Sequence, residues 1–215
     1  MDGNRRYARA KGLTVIEGHK AGYEKLKEFL DWSRTRDVKH VAAYAFSTEN
    51  WHRAPEEITS LMGLFQFVLD HETESLIREK VRVRFVGDRS RLDTNMNERM
   101  QGMEEKTSHA YEITLHLLLS YGGRAEIVEA VRHAIQSAQV TVTEDSFAKL
   151  LWTKDMPDPE LIIRPGGQKR LSNFLTWQSV YSELFFTDTL WPDFNEQEFD
   201  AILEAYAERE RRHGR

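Results

Sequence analysis

The chain has 215 residues, of which 40% are hydrophobic, 11% aromatic and 30% charged, enough apolar material for one core and too much for a disordered chain. It has no cysteine, which excludes disulfide scaffolds, zinc–thiolate centres, iron–sulfur clusters and cysteine nucleophiles. The net charge of −5 argues against a nucleic-acid partner; the opening MDGNRRYARAKG lacks the apolar middle of a signal peptide, and no apolar run reaches the length of a membrane span, so a soluble, cytoplasmic protein is expected.

Short β-branched or aromatic runs alternate with stretches of helical period. This predicts an α/β class: one domain over 1–215, with a mainly parallel, twisted sheet flanked by helices. In chain order, Asp2-Gly3-Asn4 reads as a turn, 17–36 as a helix and 38–46 (VKHVAAYAF) as a strand. A long helix is expected over 55–79, where Ile58, Leu61, Met62, Phe65, Val68, Leu69 and Leu76 form a wide apolar stripe that either packs on a sheet or lines a channel. A strand over 81–86 (VRVRFV), a helix over 93–108 and a strand over 113–119 (ITLHLLL) follow. Helices over 123–137 and 144–152, short strands over 161–164 (LIIR) and 184–186, and a closing helix over 196–212 complete the pattern.

Ligands of open parallel sheets gather at the carboxyl ends of strands, so the polar clusters found there weigh most. They are Ser47-Thr48-Glu49-Asn50-Trp51, Tyr121-Gly122-Gly123-Arg124, and Pro165-Gly166-Gly167 followed by Arg170 and Ser172. The last combines glycines that free the backbone with Arg164, Arg170 and Ser172, donors with no nearby acid in sequence, a composition suited to a diphosphate. Asp2-Gly3-Asn4-Arg5-Arg6 adds a carboxylate able to hold a hard cation and two guanidiniums able to grip phosphate. His19, near a helix start in GHKAG, could sit over a phosphate. Residues 1–53 hold eleven Lys and Arg against seven Asp and Glu in a chain that is acidic overall. Such basic islands suit a small, highly charged anion. The segment from Gly12 to Lys20 fails as a P-loop, because five residues separate Gly12 from Gly18 and His19 stands where lysine is needed. The eight histidines have no ligand spacing.

Taken together, MDGNRRYA, GHKAG, YAFSTENWHR, SYGGR, IIRPGGQKRLSNFLTWQ and SELFFTDTLWPDF resemble the cis-prenyltransferases, most closely the bacterial undecaprenyl diphosphate synthases, in order along the whole chain. The resemblance implies an Mg²⁺-dependent transferase that adds isopentenyl diphosphate repeatedly to an allylic diphosphate such as farnesyl diphosphate. The product would be a cis-polyprenyl diphosphate, undecaprenyl diphosphate for a cell-wall lipid carrier, passed to a membrane the enzyme touches at most peripherally. It implies that Asp2 is the central catalytic residue and a metal ligand, with Glu183 as the second metal carboxylate. It places Gly3, Asn4, Arg5, Arg6, Tyr7 and His19 around the allylic diphosphate, and Ser47 and Asn50 near the reacting centre, Asn50 removing the proton. Thr48, Glu49, Trp51 and Arg53 fall at the flanking substrate positions, and Arg164, Arg170, Leu171 and Ser172 at the isopentenyl diphosphate pocket. Arg212-His213-Gly214 resembles the tail signature that reaches across a homodimer, to which Phe185, Phe186, Leu190 and Trp191 would contribute an interface.

The sequence departs from the family pattern at named places. The family's first strand has no counterpart before Met1: either the start is misassigned or truncated, or Asp2 is without that anchor. Val15 stands where bacterial members carry arginine, and Pro165 and Gln168 replace threonine and glutamate. The alternatives are a shorter-chain cis-prenyl diphosphate synthase and a non-catalytic subunit of a heteromeric cis-prenyltransferase.

Overall fold

The elements run α1 (Asn4–Lys11), α2 (Val15–Thr35), β1 (His40–Ser47), α3 (Pro55–His71), α4 (Thr73–Arg78), β2 (Val81–Val86), α5 (Thr94–Lys106), β3 (Ile113–Tyr121), α6 (Gly123–Gln136), α7 (Glu144–Ala148), β4 (Leu161–Arg164), β5 (Glu183–Phe186) and α8 (Glu196–Ala207). The computed structural model describes residues 1–137 and 141–209. The chain divides into a first unit, residues 1–36, 158–172 and 178 onward, and a second unit, residues 37–157 and 173–177. The class is α/β, and among the described residues every strand pairing is parallel.

In the second unit, three strands pair in the order β1-β3-β2. β3 is buried along its whole length, as a central strand covered on both faces must be. Its alternate residues Leu115, Leu117 and Leu119 lie in register with Val41 and Ala43 of β1 and with Val83 and Phe85 of β2. Met96, Met100 and Met103, at helical spacing on α5, are all buried, and α4 and α5 both pack on β2. The expected helix over 55–79 is two helices. It breaks at Glu72, which caps α3 and opens α4. Leu61, Leu69 and Leu76 of its stripe are core, whereas Ile58, Met62, Phe65 and Val68 stay half-buried. The helix expected over 144–152 ends at Ala148.

Beyond Tyr44 the pairing of β1 with β3 slips: Tyr44 faces Leu118, Phe46 faces Leu119 and Ser47 faces Tyr121. Ala45 is therefore the extra residue of one bulge and Ser120, at φ 52°, of the next. Bulges near a sheet's functional end re-aim the side chains that follow, and the polar turn after Ser47 begins there.

In the first unit, α2 starts on a capping box, Thr14 receiving the Glu17 N–H while the Glu17 carboxylate receives the Thr14 N–H at 2.8 Å. Its far end is tied to α8 by Arg36, which pairs with Asp200 and with Glu196 at 2.9 Å. Between them Phe29 packs against Phe199, Trp191 and Phe194 at 4.7, 5.7 and 6.2 Å. Trp191, expected at an interface between copies, is instead a core residue: it is buried, and its indole N–H donates to Gly22 O at 2.7 Å. Leu190, Phe185 and Phe186 are half-buried. Opposite this core β4 pairs with β5 over Leu161–Glu183 to Arg164–Phe186. The turn expected at Asp2-Gly3-Asn4 leads directly into α1, a helix the apolar pattern did not announce. Among the described residues no helix is long and apolar enough to cross a membrane.

One buried carboxylate ties the second unit together. Glu126 on α6 is 1% exposed; it accepts from Thr153 N at 2.9 Å, from Thr153 Oγ1 at 2.8 Å and from the Tyr121 hydroxyl at 2.6 Å. Glu126→Ala strands these donors in an apolar interior, and should cost about 3 kcal/mol and lower Tm by on the order of 10 °C. Thermal and urea denaturation check this.

Candidate active site

In the first unit, the site grows from the approach of α1 to α2. A Cβ on Gly18 would lie 2.4 Å from Asn4 O, and one on Gly22 would lie 2.5 Å from Asn4 Oδ1. The GHKAG segment and Gly22 therefore make a groove that only glycine can make, into which the start of α1 sinks. Asn4 approaches His19 Nδ1 at 3.5 Å, and Asn4 Oδ1 is buried with no hydrogen-bond partner among the described residues. Gly3, at φ 104°, turns the chain so that Asp2 stands ahead of the helix, and the Asp2 carbonyl accepts from Trp191 N at 2.9 Å.

Two guanidiniums converge on the Asp2 carboxylate. Arg164, the last residue of β4, donates to Asp2 Oδ2 at 2.9 Å, and Arg6, one turn along α1, reaches Oδ1 at 3.3 Å. Partial burial pushes the Asp2 carboxyl up, but the Arg164 hydrogen bond and the charges of Arg164 and Arg6 outweigh it and hold the group below its usual value. The basic loop after β4 has no acid near it in sequence; its acid is Asp2, 162 residues away. Arg6 also donates to Gly166 O at 2.7 Å, and Arg164 to Ser172 Oγ at 2.8 Å and to Arg170 O. Asp2 is thus anchored by Arg164, Arg6 and Trp191.

The departures from the family pattern have physical readings. Pro165 is buried, and Gln168 accepts from Arg170 at 2.5 Å, holding that exposed guanidinium on its own loop. Val15 is an exposed first residue of α2. Arg5 is exposed, Tyr7 half-buried under Lys11 at 5.9 Å, and Leu171 half-buried. Glu183 opens β5 with its carboxylate on Arg209. Arg212 and Gly214 lie outside the described residues.

The second unit carries the other predicted cluster, on the 3₁₀ turn Thr48–His52 after β1. Asn50 Oδ1 accepts from Ser47 N at 3.1 Å, and the Trp51 indole donates to Ser120 Oγ at 2.9 Å. Trp51 packs edge-on to Phe46 at 4.9 Å, with Arg91 4.9 Å over its ring, and Arg53 pairs with Glu57 at 2.9 Å. Glu49 accepts from Asn173 Nδ2 at 2.8 Å and from Thr48 Oγ1 at 3.3 Å. Burial pushes the Glu49 carboxyl up, and its hydrogen bonds, to Asn173 among others, bring it below its usual value. Asn173 also accepts from Arg124 N at 2.8 Å through its side chain and from Gly123 N at 2.8 Å through its carbonyl. It was not singled out from the sequence. The only signal was its place beside Ser172 in RLSNF, and its clamp on the start of α6 depends on a left-handed backbone, φ 66°.

The donor set suits a hard divalent cation shared with phosphate. Mg²⁺ is characteristically held by one or two carboxylates together with substrate phosphates. Asp2, half-buried with one long ion pair, fits such a role. Glu183 fits only if Arg209 turns away. Among the described residues no three His, Cys, Asp or Glu side chains gather as a self-sufficient metal cage.

Residues 1–214 match the family described as undecaprenyl diphosphate synthase, the prenyltransferase family. The chain belongs to that family. It is 45% identical to an isoprenyl transferase of Thermotoga maritima over all of this chain and 94% of the relative. It is 40% identical to the farnesyl-diphosphate-specific ditrans,polycis-undecaprenyl-diphosphate synthase of Escherichia coli K12, over all of this chain and 87% of the relative. Lavandulyl diphosphate synthase from Lavandula x intermedia, solved with dimethylallyl diphosphate, superposes with TM-score 0.93 at 30% identity, covering all of this chain and 95% of that one. The protein is therefore an enzyme, a prenyltransferase.

The ion pairs of Asp2 imply a pH signature. With its folded-state pKa depressed, Asp2 contributes stability at pH values above its ordinary 3.8, and loses that contribution as pH falls through the depressed value. The Tm difference between the wild type and Asp2→Asn should be largest near about pH 7 and close on acidification. Melts across pH measure it.

Proposed function

We propose that this prenyltransferase condenses isopentenyl diphosphate repeatedly with farnesyl diphosphate to make undecaprenyl diphosphate. The observation that carries the reading is the Asp2–Arg164 pair at 2.9 Å, with Arg6 bridging Asp2 and Gly166. It joins the two segments richest in anion-binding groups around one carboxylate. The names of the Thermotoga and Escherichia relatives agree with the chemistry.

Ionising an allylic diphosphate requires stabilisation of the leaving group's charge by donors fixed beforehand. In our reading Arg6, His19 and the backbone around Gly3 and Asn4 take the allylic diphosphate, with Arg5 and Tyr7 beside it. Arg164, Arg170, Leu171 and Ser172 take isopentenyl diphosphate. A divalent cation held by Asp2, with Glu183 as the second carboxylate, supplies further charge neutralisation at phosphate oxygen when bound. Ser47, Thr48, Glu49, Trp51 and Arg53 position substrate. Asn50, its Oδ1 committed to Ser47 N–H, offers its Nδ2 as a donor that orients the groups through which the proton leaves. An amide is too weak a base to hold that proton itself. The half-buried Ile58, Met62, Phe65 and Val68 line the path of the growing apolar chain. A second copy of the chain contributes Arg212 and Gly214 to the isopentenyl diphosphate pocket. The enzyme works in the cytoplasm and hands its product to a membrane.

Turnover of labelled isopentenyl diphosphate with farnesyl diphosphate and Mg²⁺, with product length read by chromatography, tests the proposal. Undecaprenyl products are expected; shorter products would make it a shorter-chain synthase, and no turnover a non-catalytic subunit. Asp2→Ala should lower kcat by about a hundredfold or more. Arg170→Ala should raise KM for isopentenyl diphosphate about tenfold or more while leaving that for farnesyl diphosphate nearly unchanged.

A further inference from the structure

A strand buried on both faces of a parallel sheet is expected to be apolar throughout. The amino-terminal half of one face of the β1-β3-β2 sheet breaks that rule on all three strands. Register places His40, Thr114 and Arg82 in one row across the sheet, and Ala42, His116 and Arg84 in the next. The following row, Tyr44, Leu118 and Val86, returns to an apolar core. The two polar rows floor a concave groove of about 710 Å³, and Lys39, Tyr111 and Asp155 stand around it. That volume is in the range of pockets for small molecules.

The groove is a cluster of cations whose partners are weak. Arg82 donates to the Tyr111 hydroxyl at 2.9 Å and stacks 5.0 Å from its ring, but its Nε is buried with no hydrogen-bond partner among the described residues. Among the described residues Arg84 has only a long approach, 3.6 Å, to Asp155, whose side chain is 67% exposed. The other carboxylate at the groove, Glu112, pairs with Lys80 at 2.5 Å, and Lys39 pairs with Asp37. In the same two rows as the guanidiniums, His40 Nδ1 and His116 Nε2 lie 3.1 Å apart, and His116 is 3% exposed. A buried imidazole at His116, in contact with the exposed His40 ring and beside two guanidiniums, is costly to charge unless something negative completes the cluster.

We propose that this groove is a second anion site, separate from the prenyl-transfer residues, that binds a small soluble phosphorylated compound through Arg82, Arg84 and His116. The two guanidiniums grip phosphate oxygens, and the exposed Asp155 carboxylate is displaced when the anion enters. The histidine pair senses occupancy. Burial first, then the charges of His40, Arg84 and Arg82, push the His116 imidazole down to about 4, against the opposing pull of Asp155. Burial and Arg82 lower His40 as well. A phosphate seated on the guanidiniums offsets their repulsion, so His116 takes up a proton at higher pH and becomes another donor to the anion.

The test follows the histidine ring signals of the full chain by NMR during titration with inorganic pyrophosphate, His116→Gln identifying the His116 resonance. We expect saturable shifts at His116 and His40 and a rise of about one unit or more in the His116 titration midpoint. Arg84→Gln should weaken this binding about tenfold or more without altering prenyl-transfer turnover. Should Arg84→Gln fail to fold, Asp155→Asn, a change at an exposed side chain, should tighten binding several-fold by removing the competing carboxylate. Ring signals unmoved at about 10 mM pyrophosphate, a concentration that would reveal even millimolar affinity, would overturn the proposal. Equal shifts in Arg84→Gln, or affinity unchanged in Asp155→Asn, would do the same. So would a response to phosphatidylglycerol vesicles with none to pyrophosphate, which would mark the groove as a headgroup contact.

Discussion

Arg164 donating to the Asp2 carboxylate is the interaction on which the arrangement of the first unit's candidate site depends. A carboxylate two residues from the start of the chain and a guanidinium at the end of β4 have no local reason to meet. They meet because α1 sinks against the glycine groove of α2, because Trp191 N–H takes the Asp2 carbonyl, and because β4 ends where Arg164 can reach forward. The pairing leaves a half-buried carboxylate ionised over the whole physiological range and beside two guanidiniums. Removing either partner alone would leave the other's charge without its nearest counter-charge in a partly buried place.

The second unit divides its sheet by polarity along the strand direction. Its carboxyl ends carry the bulges at Ala45 and Ser120, which re-aim the chain into the turn holding Asn50 and Trp51. Its amino ends, where parallel sheets ordinarily need only stability, carry His40, Arg82, Arg84 and His116 on one face. The opposite face, with Leu115, Leu117 and Leu119, is apolar and buried. One central strand thus separates an apolar layer from a face that is apolar at one end and cationic at the other, which its two-residue side-chain period makes possible.

Residue types and their periods made the α/β class, the five strands and most helices legible, because burial selects apolar side chains at the spacing each element imposes. The motifs also announced Asp2, Arg6, Arg164 and the turn after β1 as chemically loaded. The break at Glu72 was not legible, because one apolar stripe continues through both α3 and α4. The role of Gly18 and Gly22 was hidden too, since a glycine in a helix shows its purpose only when another backbone lies against it. Asn173 looked like an ordinary loop residue, and Trp191, an interfacial aromatic by sequence, proved to be core.

What the sequence by itself determined was the inventory: which stretches bury, which carry charge, and which ordered set of motifs places the chain in its family. Only the tertiary structure decided the pairings. It set Asp2 against Arg164, 162 residues away, and Asn173 against Glu49, 124 away, and it brought His40 to His116. Local pattern records the environment a side chain needs, through burial and backbone preference, but not its partner. Partners are chosen by strand register, helix docking and backbone approach, quantities that exist only once segments distant in sequence have packed.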